Sequence, residues 1–135
     1  MAIFYNKVER GNPANPEAPK KWYPVLKSLG MVPEKEVAKQ ISDETTLNPK
    51  EAEIALAQFQ KVMIRNLLEG RTVQLGDWGS FHLTLSGTGS DTKEGVTSAS
   101  VTKINIRFSP GRELTEAISK AQLKPVESLT QPPVR

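Results

Sequence analysis

Gly70-Arg71-Thr72-Val73-Gln74-Leu75-Gly76-Asp77-Trp78-Gly79-Ser80-Phe81 contains a helix stop, a short strand, a Gly-x-x-Gly reversal and the start of a second strand. A second stretch, Ile104-Asn105-Ile106-Arg107-Phe108-Ser109-Pro110-Gly111-Arg112-Glu113-Leu114, is a strand that breaks directly into a helix. The residues before Gly70 build up to this hairpin, and those between the two stretches are one excursion from it. Val73, then Phe81, Leu83 and Leu85, then Ile104, Ile106 and Phe108 alternate with polar residues, so three strands share one apolar and one polar face. The polar face carries Thr72 and Gln74, then His82, Thr84 and Ser86, then Lys103, Asn105 and Arg107. By itself such a face is what an ordinary solvated sheet presents.

Upstream, Glu34 and Glu36 after Pro33 suit a first helical turn, and Val37, Ala38 and Ile41 make a narrow stripe that ends near Thr45 and Thr46. Asn48-Pro49-Lys50-Glu51 is a stronger start, with Asn as cap, Pro at the first position and Glu three residues after the cap. From there Ala52, Ala55, Leu56, Phe59, Val62, Met63 and Leu67 recur at helical spacing until Gly70. About 20 residues give a helix about 30 Å long, more than one short helix can cover, which points to a partner chain. Downstream, Ser109 as cap and Pro110 at the first position open a last helix. Its inner stripe is Leu114, Ala117, Ile118 and Ala121, with Lys120 and Lys124 in or after its last turn.

The two stretches resemble the bacterial HU/IHF family of histone-like DNA-bending proteins. The likeness rests on the turn Gly76-Asp77-Trp78-Gly79-Ser80-Phe81 and the step Phe108-Ser109-Pro110-Gly111, and it covers residues 34–121. It implies an α+β fold: two N-terminal helices, a three-stranded antiparallel sheet with a long hairpin arm, a C-terminal helix, and an intertwined homodimer. It marks off an N-terminal extension (1–33) from an HU-like DNA-binding domain (34–124); residues 125–135, with three prolines and no apolar period, read as a disordered tail. The likeness makes the polar sheet face a saddle for the DNA backbone. The expected contacts are then Lys103, Arg107 and Arg112, with His82, Thr84, Ser80, the Gly79 backbone and Lys93 as lesser donors, and Lys20 and Lys21 from the extension. The implied protein binds duplex DNA non-specifically in the cytoplasm, at the bacterial nucleoid. A rival reading keeps the fold and turns the same face into a protein-interaction scaffold.

The arm departs from the family. Family arms are basic ribbons whose proline wedges between base pairs and whose arginines line the minor groove. Ser86 to Ser100 holds no proline, no arginine and one lysine against Asp91 and Glu94, so a flexible, neutral arm is expected. Gly87-Thr88-Gly89 lacks the Gly-Lys-Ser/Thr ending of a phosphate loop.

Composition bounds the rest. The chain has 135 residues, a hydrophobic content of 37%, an aromatic content of 6% and no cysteine, which excludes disulfides, thiol nucleophiles and zinc ribbons. No apolar run approaches a membrane span, and residues 1–5 are no signal peptide. The helix carboxylates Glu34, Glu36, Asp43, Glu44, Glu51 and Glu53 are interleaved with lysines as on a solvated face. The one histidine, His82, has no partner in sequence, so no catalytic residue, metal, cofactor or small-molecule substrate is expected. Net charge is +3: residues 1–33 and 103–124 each hold five basic and two acidic side chains, while residues 82–102 hold one basic and two acidic.

In the extension, residues 2–9 have the makings of a short strand. Pro13, Pro16, Pro19 and Pro24 then exclude a regular helix. Lys20-Lys21-Trp22-Tyr23 fits either stacking and phosphate contact with nucleic acid or aromatics packed on a core beside wet lysines, and burial is the commoner use of large aromatics.

Overall fold

The structure is a computed structural model and describes residues 1–129. It divides into two units, one of residues 33–117 and one joining residues 1–32 to the chain from Ile118 onward.

In the larger unit, Pro33 caps α1 (Glu34–Glu44) from outside the helix, and its carbonyl accepts from the amides of Glu36 and Val37 at 3.0 and 3.1 Å. The capping box forms at α2 (Pro49–Leu68). The Glu51 amide donates to Asn48 Oδ1 at 2.9 Å, and the Asn48 amide donates to Glu51 Oε2 at 3.1 Å. Gly70, at φ +77, takes the left-handed conformation that ends the helix. The two helices pack together, with Ala38 and Ala52 buried. Leu56, Val62 and Met63 of the expected stripe are half-buried and Leu67 is buried, while Ala55 and Phe59 remain exposed. A second apolar set on α2, Ile54, Ile64 and Leu68, is also exposed.

The sheet has the order β3 (Val73–Gln74), β4 (Gly79–Gly87), β5 (Val101–Pro110), antiparallel throughout. Register follows the alternation: Phe81 lies opposite Phe108, Leu83 opposite Ile106, and Leu85 opposite Ile104. Trp78 joins Phe81 and Phe108 in a tilted ring cluster, with the two phenylalanine centroids 4.8 Å apart.

Three expectations are corrected. Ser109 does not cap the last helix: it pairs with Ser80 inside β5, Pro110 ends that strand opposite Gly79, and α3 runs Arg112–Ser119. The Gly111 carbonyl accepts from the Thr115 amide at 3.0 Å, so the helix starts two residues later than the Ser-Pro pair suggests. Ala121 therefore lies past the helix, because the chain goes on to pair as β6 (Gln122–Pro125). The arm is no long ribbon either. Strand pairing stops at Gly87 and Val101 with a bulge; the Thr88 amide still donates to the Ser100 carbonyl at 2.9 Å, and the rest of the loop is held by short local bonds. Thr97 and Ser100 cap each other across a 3₁₀ turn, and the Gly95 amide donates to Thr92 Oγ1 at 3.1 Å.

In the other unit, β1 (Ala2–Arg10) pairs antiparallel with β2 (Lys21–Leu26) and parallel with β6, giving the order β2-β1-β6. Pro24 is tolerated because β2 is an edge strand, where its missing N–H interrupts no ladder. Pro125 belongs to β6 and Val126–Leu129 form a 3₁₀ turn, so the expected tail is structured at its start; residues 130–135 lie outside the described residues. Ile3, Tyr5, Pro24, Leu26 and Leu123 open onto an apolar groove of about 620 Å³. Trp22 is 67% exposed, so the packing expected of this aromatic is not met.

Candidate nucleic-acid interface

The polar face of β3–β5 is built in rows by the strand register. Gln74, Ser80 and Ser109 form the first row, His82 and Arg107 the second, Thr84 and Asn105 the third, and Ser86 and Lys103 the fourth. Arg107 and Lys103 stand four residues apart on one strand face, about 13 Å at the usual rise per residue. Neither strand of the β4–β5 pair contains an aspartate or glutamate, and neither does β3. The face therefore offers two permanent cations in a field of hydroxyl and amide donors. Asn105 Nδ2 donates to Ser86 Oγ at 2.8 Å, which fixes part of the third and fourth rows.

What holds this face in place is the close packing of turn and step beneath it. A Cβ on Gly79 would meet the Phe108 ring at 2.6 Å and the Ser109 carbonyl at 2.7 Å, and Gly79 already sits at φ +153. A Cβ on Gly111 would lie 2.1 Å from the Asp77 carbonyl oxygen. The Gly111 amide donates to the Trp78 carbonyl at 2.9 Å, so the two quoted stretches are one structural element.

Of the expected contacts, the structure brings together Ser80, His82, Thr84, Lys103 and Arg107 on this face. Gly79 is buried, and its carbonyl accepts from the Leu75 amide at 2.8 Å; it shapes the turn. Arg112 begins α3 with its Nε 2.9 Å from Glu116 Oε1, a solvent-exposed ion pair that uses part of its hydrogen-bonding capacity. Lys93 lies in the loop beyond the strands, and Lys20 and Lys21 belong to the other unit. Gln74, Ser86, Asn105 and Ser109 were not among the expected contacts. The alternation put the first three on the polar face, and only the register adds Ser109. Among the described residues no group of three or more His, Asp or Glu side chains could hold a metal ion, and no helix is long and apolar enough to cross a membrane.

Comparison with known proteins agrees with this geometry. An 85-residue stretch is 29% identical to integration host factor subunit beta of Marinobacter nauticus, covering 62% of this chain and 87% of that protein. The solved structure of a putative bacterial DNA-binding protein from Bacteroides vulgatus matches 93% of this chain with a TM-score of 0.67 at 11% identity, a likeness of fold. This chain spans about half the length of that one, 48%. Residues 1–125 match the model of a family described as an HU domain fused to a wHTH, Ig or glycine-rich motif, so the matched pattern takes in the N-terminal strands as well as the hairpin and its flanking helices. With the turn, the step and the sheet between them in the arrangement these motifs imply, the chain belongs to this HU/IHF-like family of histone-like DNA-binding proteins.

Proposed function

We propose that the protein is a non-enzymatic, cytoplasmic, nucleoid-associated homodimer that binds duplex DNA non-specifically through its phosphate backbone. Lys103 and Arg107 are the principal contacts, with His82, Thr84 and Ser80 as neutral donors and Arg112 at the margin. One observation carries this reading: a sheet face with no carboxylate and two cations that make no ion pair among the described residues, set on a unit that otherwise has more acidic than basic side chains. A face of this kind recognises a polyanion by charge and many weak donors, without reading base edges.

The dimer is supported by the apolar side of the same unit. Leu85, Ile104, Ile106 and Ile64 are 66%, 61%, 59% and 58% exposed, and the only buried hydrophobic residues among those described are Ala38, Ala52 and Leu67. Each such side chain gains about 1.5–3 kcal/mol when fully buried, a large driving force for association.

A salt-titrated mobility shift with random-sequence duplex tests the binding. Arg107→Ala and Lys103→Ala should each flatten the slope of log K against log salt by about 0.9 per protomer in contact, about 1.8 for the dimer. Unchanged slopes in both would overturn the assignment. Sedimentation at micromolar concentration should show a dimer; a folded monomer would overturn that part.

A further inference from the structure

The two units carry different charge. Residues 1–32 and 118–129 hold seven basic and three acidic side chains, whereas residues 33–117 hold ten basic and twelve acidic. The positive excess therefore belongs to the unit that carries the sheet β2-β1-β6.

Register sorts that charge by face. Arg10 is directly opposite Lys21, Val8 opposite Tyr23, and Asn6 opposite Val25; Phe4 is the partner of Lys124 across the parallel pair. One face thus gathers Arg10, Lys21, Lys124, Tyr23 and Phe4 with no carboxylate. Glu9 belongs to the opposite face, with Lys7 and Trp22. Like charges directly opposite each other destabilise a strand pair, so Arg10 and Lys21 face each other at a cost in the free protein. Among the described residues neither makes an ion pair. Both line a cleft of about 550 Å³ at the turn of this hairpin, and Tyr23, 45% exposed, lines it with them.

Two unpaired cations over an open cleft are relieved by an anion. An exposed ring beside them offers a flat apolar surface within one nucleotide's reach of that anion. A duplex keeps its bases stacked and cannot use the ring, whereas a single strand can supply phosphate and base together. We propose that this cleft binds single-stranded nucleic acid. Arg10 and Lys21 hold a backbone phosphate, Tyr23 stacks an adjacent base, and Lys124 continues the track along the sheet. The site is independent of the β4–β5 face, and its failure would leave the duplex assignment standing.

The test uses the full chain with oligo(dT) and with duplex, each titrated against salt. The double variant Arg10→Gln/Lys21→Gln should lower the oligo(dT) slope by about 0.7, one phosphate at the single-strand value. Tyr23→Leu, which keeps a bulky side chain in the strand, should weaken oligo(dT) binding by roughly tenfold. Lys103→Ala/Arg107→Ala should leave oligo(dT) binding in place while it weakens duplex binding. A readout on the unaltered protein guards against misfolded variants: in lysine acetylation mapped by mass spectrometry, oligo(dT) should protect Lys21 and Lys124 and leave Lys7 reactive. Equal reactivity of Lys21 and Lys7, or, in Arg10→Gln/Lys21→Gln, an unchanged oligo(dT) slope or a loss confined to duplex, would each overturn the proposal.

Discussion

The β4–β5 hairpin is built differently at its two ends. At its base, backbone meets backbone: Gly79 lies against the Ser109 carbonyl, Gly111 against the Asp77 carbonyl, and three aromatic rings close over the junction. At its far end, past the Thr88 amide's bond to the Ser100 carbonyl, residues 88–97 are held by hydroxyls and carbonyls bonding to amides two or three residues away, on exposed chain. The base fixes the register that sets Arg107 opposite His82 and Lys103 opposite Ser86, while the far end fixes nothing outside itself. This contrast predicts where the molecule resists change and where it tolerates it.

The largest effect is expected from Phe108→Ala. It removes a ring from the cluster with Trp78 and Phe81, and large-to-small changes of this kind cost about 3–5 kcal/mol once the site is buried. Phe108 is 39% exposed in the single chain, so the full cost requires a partner chain over that face. Denaturant melts at two protein concentrations check it. A cost below about 1 kcal/mol at both would show the ring cluster to be dispensable.

Two glycine substitutions sharpen the comparison. A Cβ on Gly111 would sit 2.1 Å from the Asp77 carbonyl oxygen, and a Cβ on Gly95 would sit 2.0 Å from Ser90 Oγ. The distances match, but the obstacles do not. The Asp77 carbonyl belongs to a turn locked by the Gly111 and Leu75 amides, so Gly111→Ala should cost about 1–3 kcal/mol, as overpacking does. Ser90 is an exposed side chain that can rotate away, so Gly95→Ala should stay within about 0.5 kcal/mol and gain a little from a stiffer unfolded chain. Equal costs in thermal melts would erase the distinction between the two ends.

The base was also the part most legible in sequence. Period-two alternation and the two Gly-containing steps fixed the sheet and its faces, and the Asn48–Glu51 signature fixed the start of α2, because these signals are local. Ser109-Pro110 misled because its capping chemistry is equally local, and strand pairing with Gly79 and Ser80 overrode it. The strand β6 was invisible: Gln122-Leu123-Lys124-Pro125 has no period of its own and becomes a strand only because β1, more than a hundred residues earlier, offers a parallel edge. The cation pair Arg10–Lys21 was hidden for the same reason, since eleven positions separate two residues that only the register makes neighbours.

The smallest effect is expected at the far end itself. A sharp kink in DNA needs a rigid apolar wedge to offset the unstacking of a base step, which costs a few kcal/mol. Residues 88–97 contain no proline, their largest apolar side chain is Val96, and Asp91 and Glu94 outnumber Lys93. Their strands stop at Gly87 and Val101, so no ribbon extends to carry a wedge into a groove. Ordering such a loop on DNA would also cost backbone entropy, most of all at its glycines. Replacing residues 89–96 by a two-residue Asn-Gly turn, which suits an antiparallel hairpin, should therefore leave duplex affinity within a few fold. End-to-end FRET on a short duplex should show no sharp bend with either protein. A large bend with the intact chain that disappears on replacement would overturn this assignment, and would mean that the far end, and not the base, sets the shape of the complex.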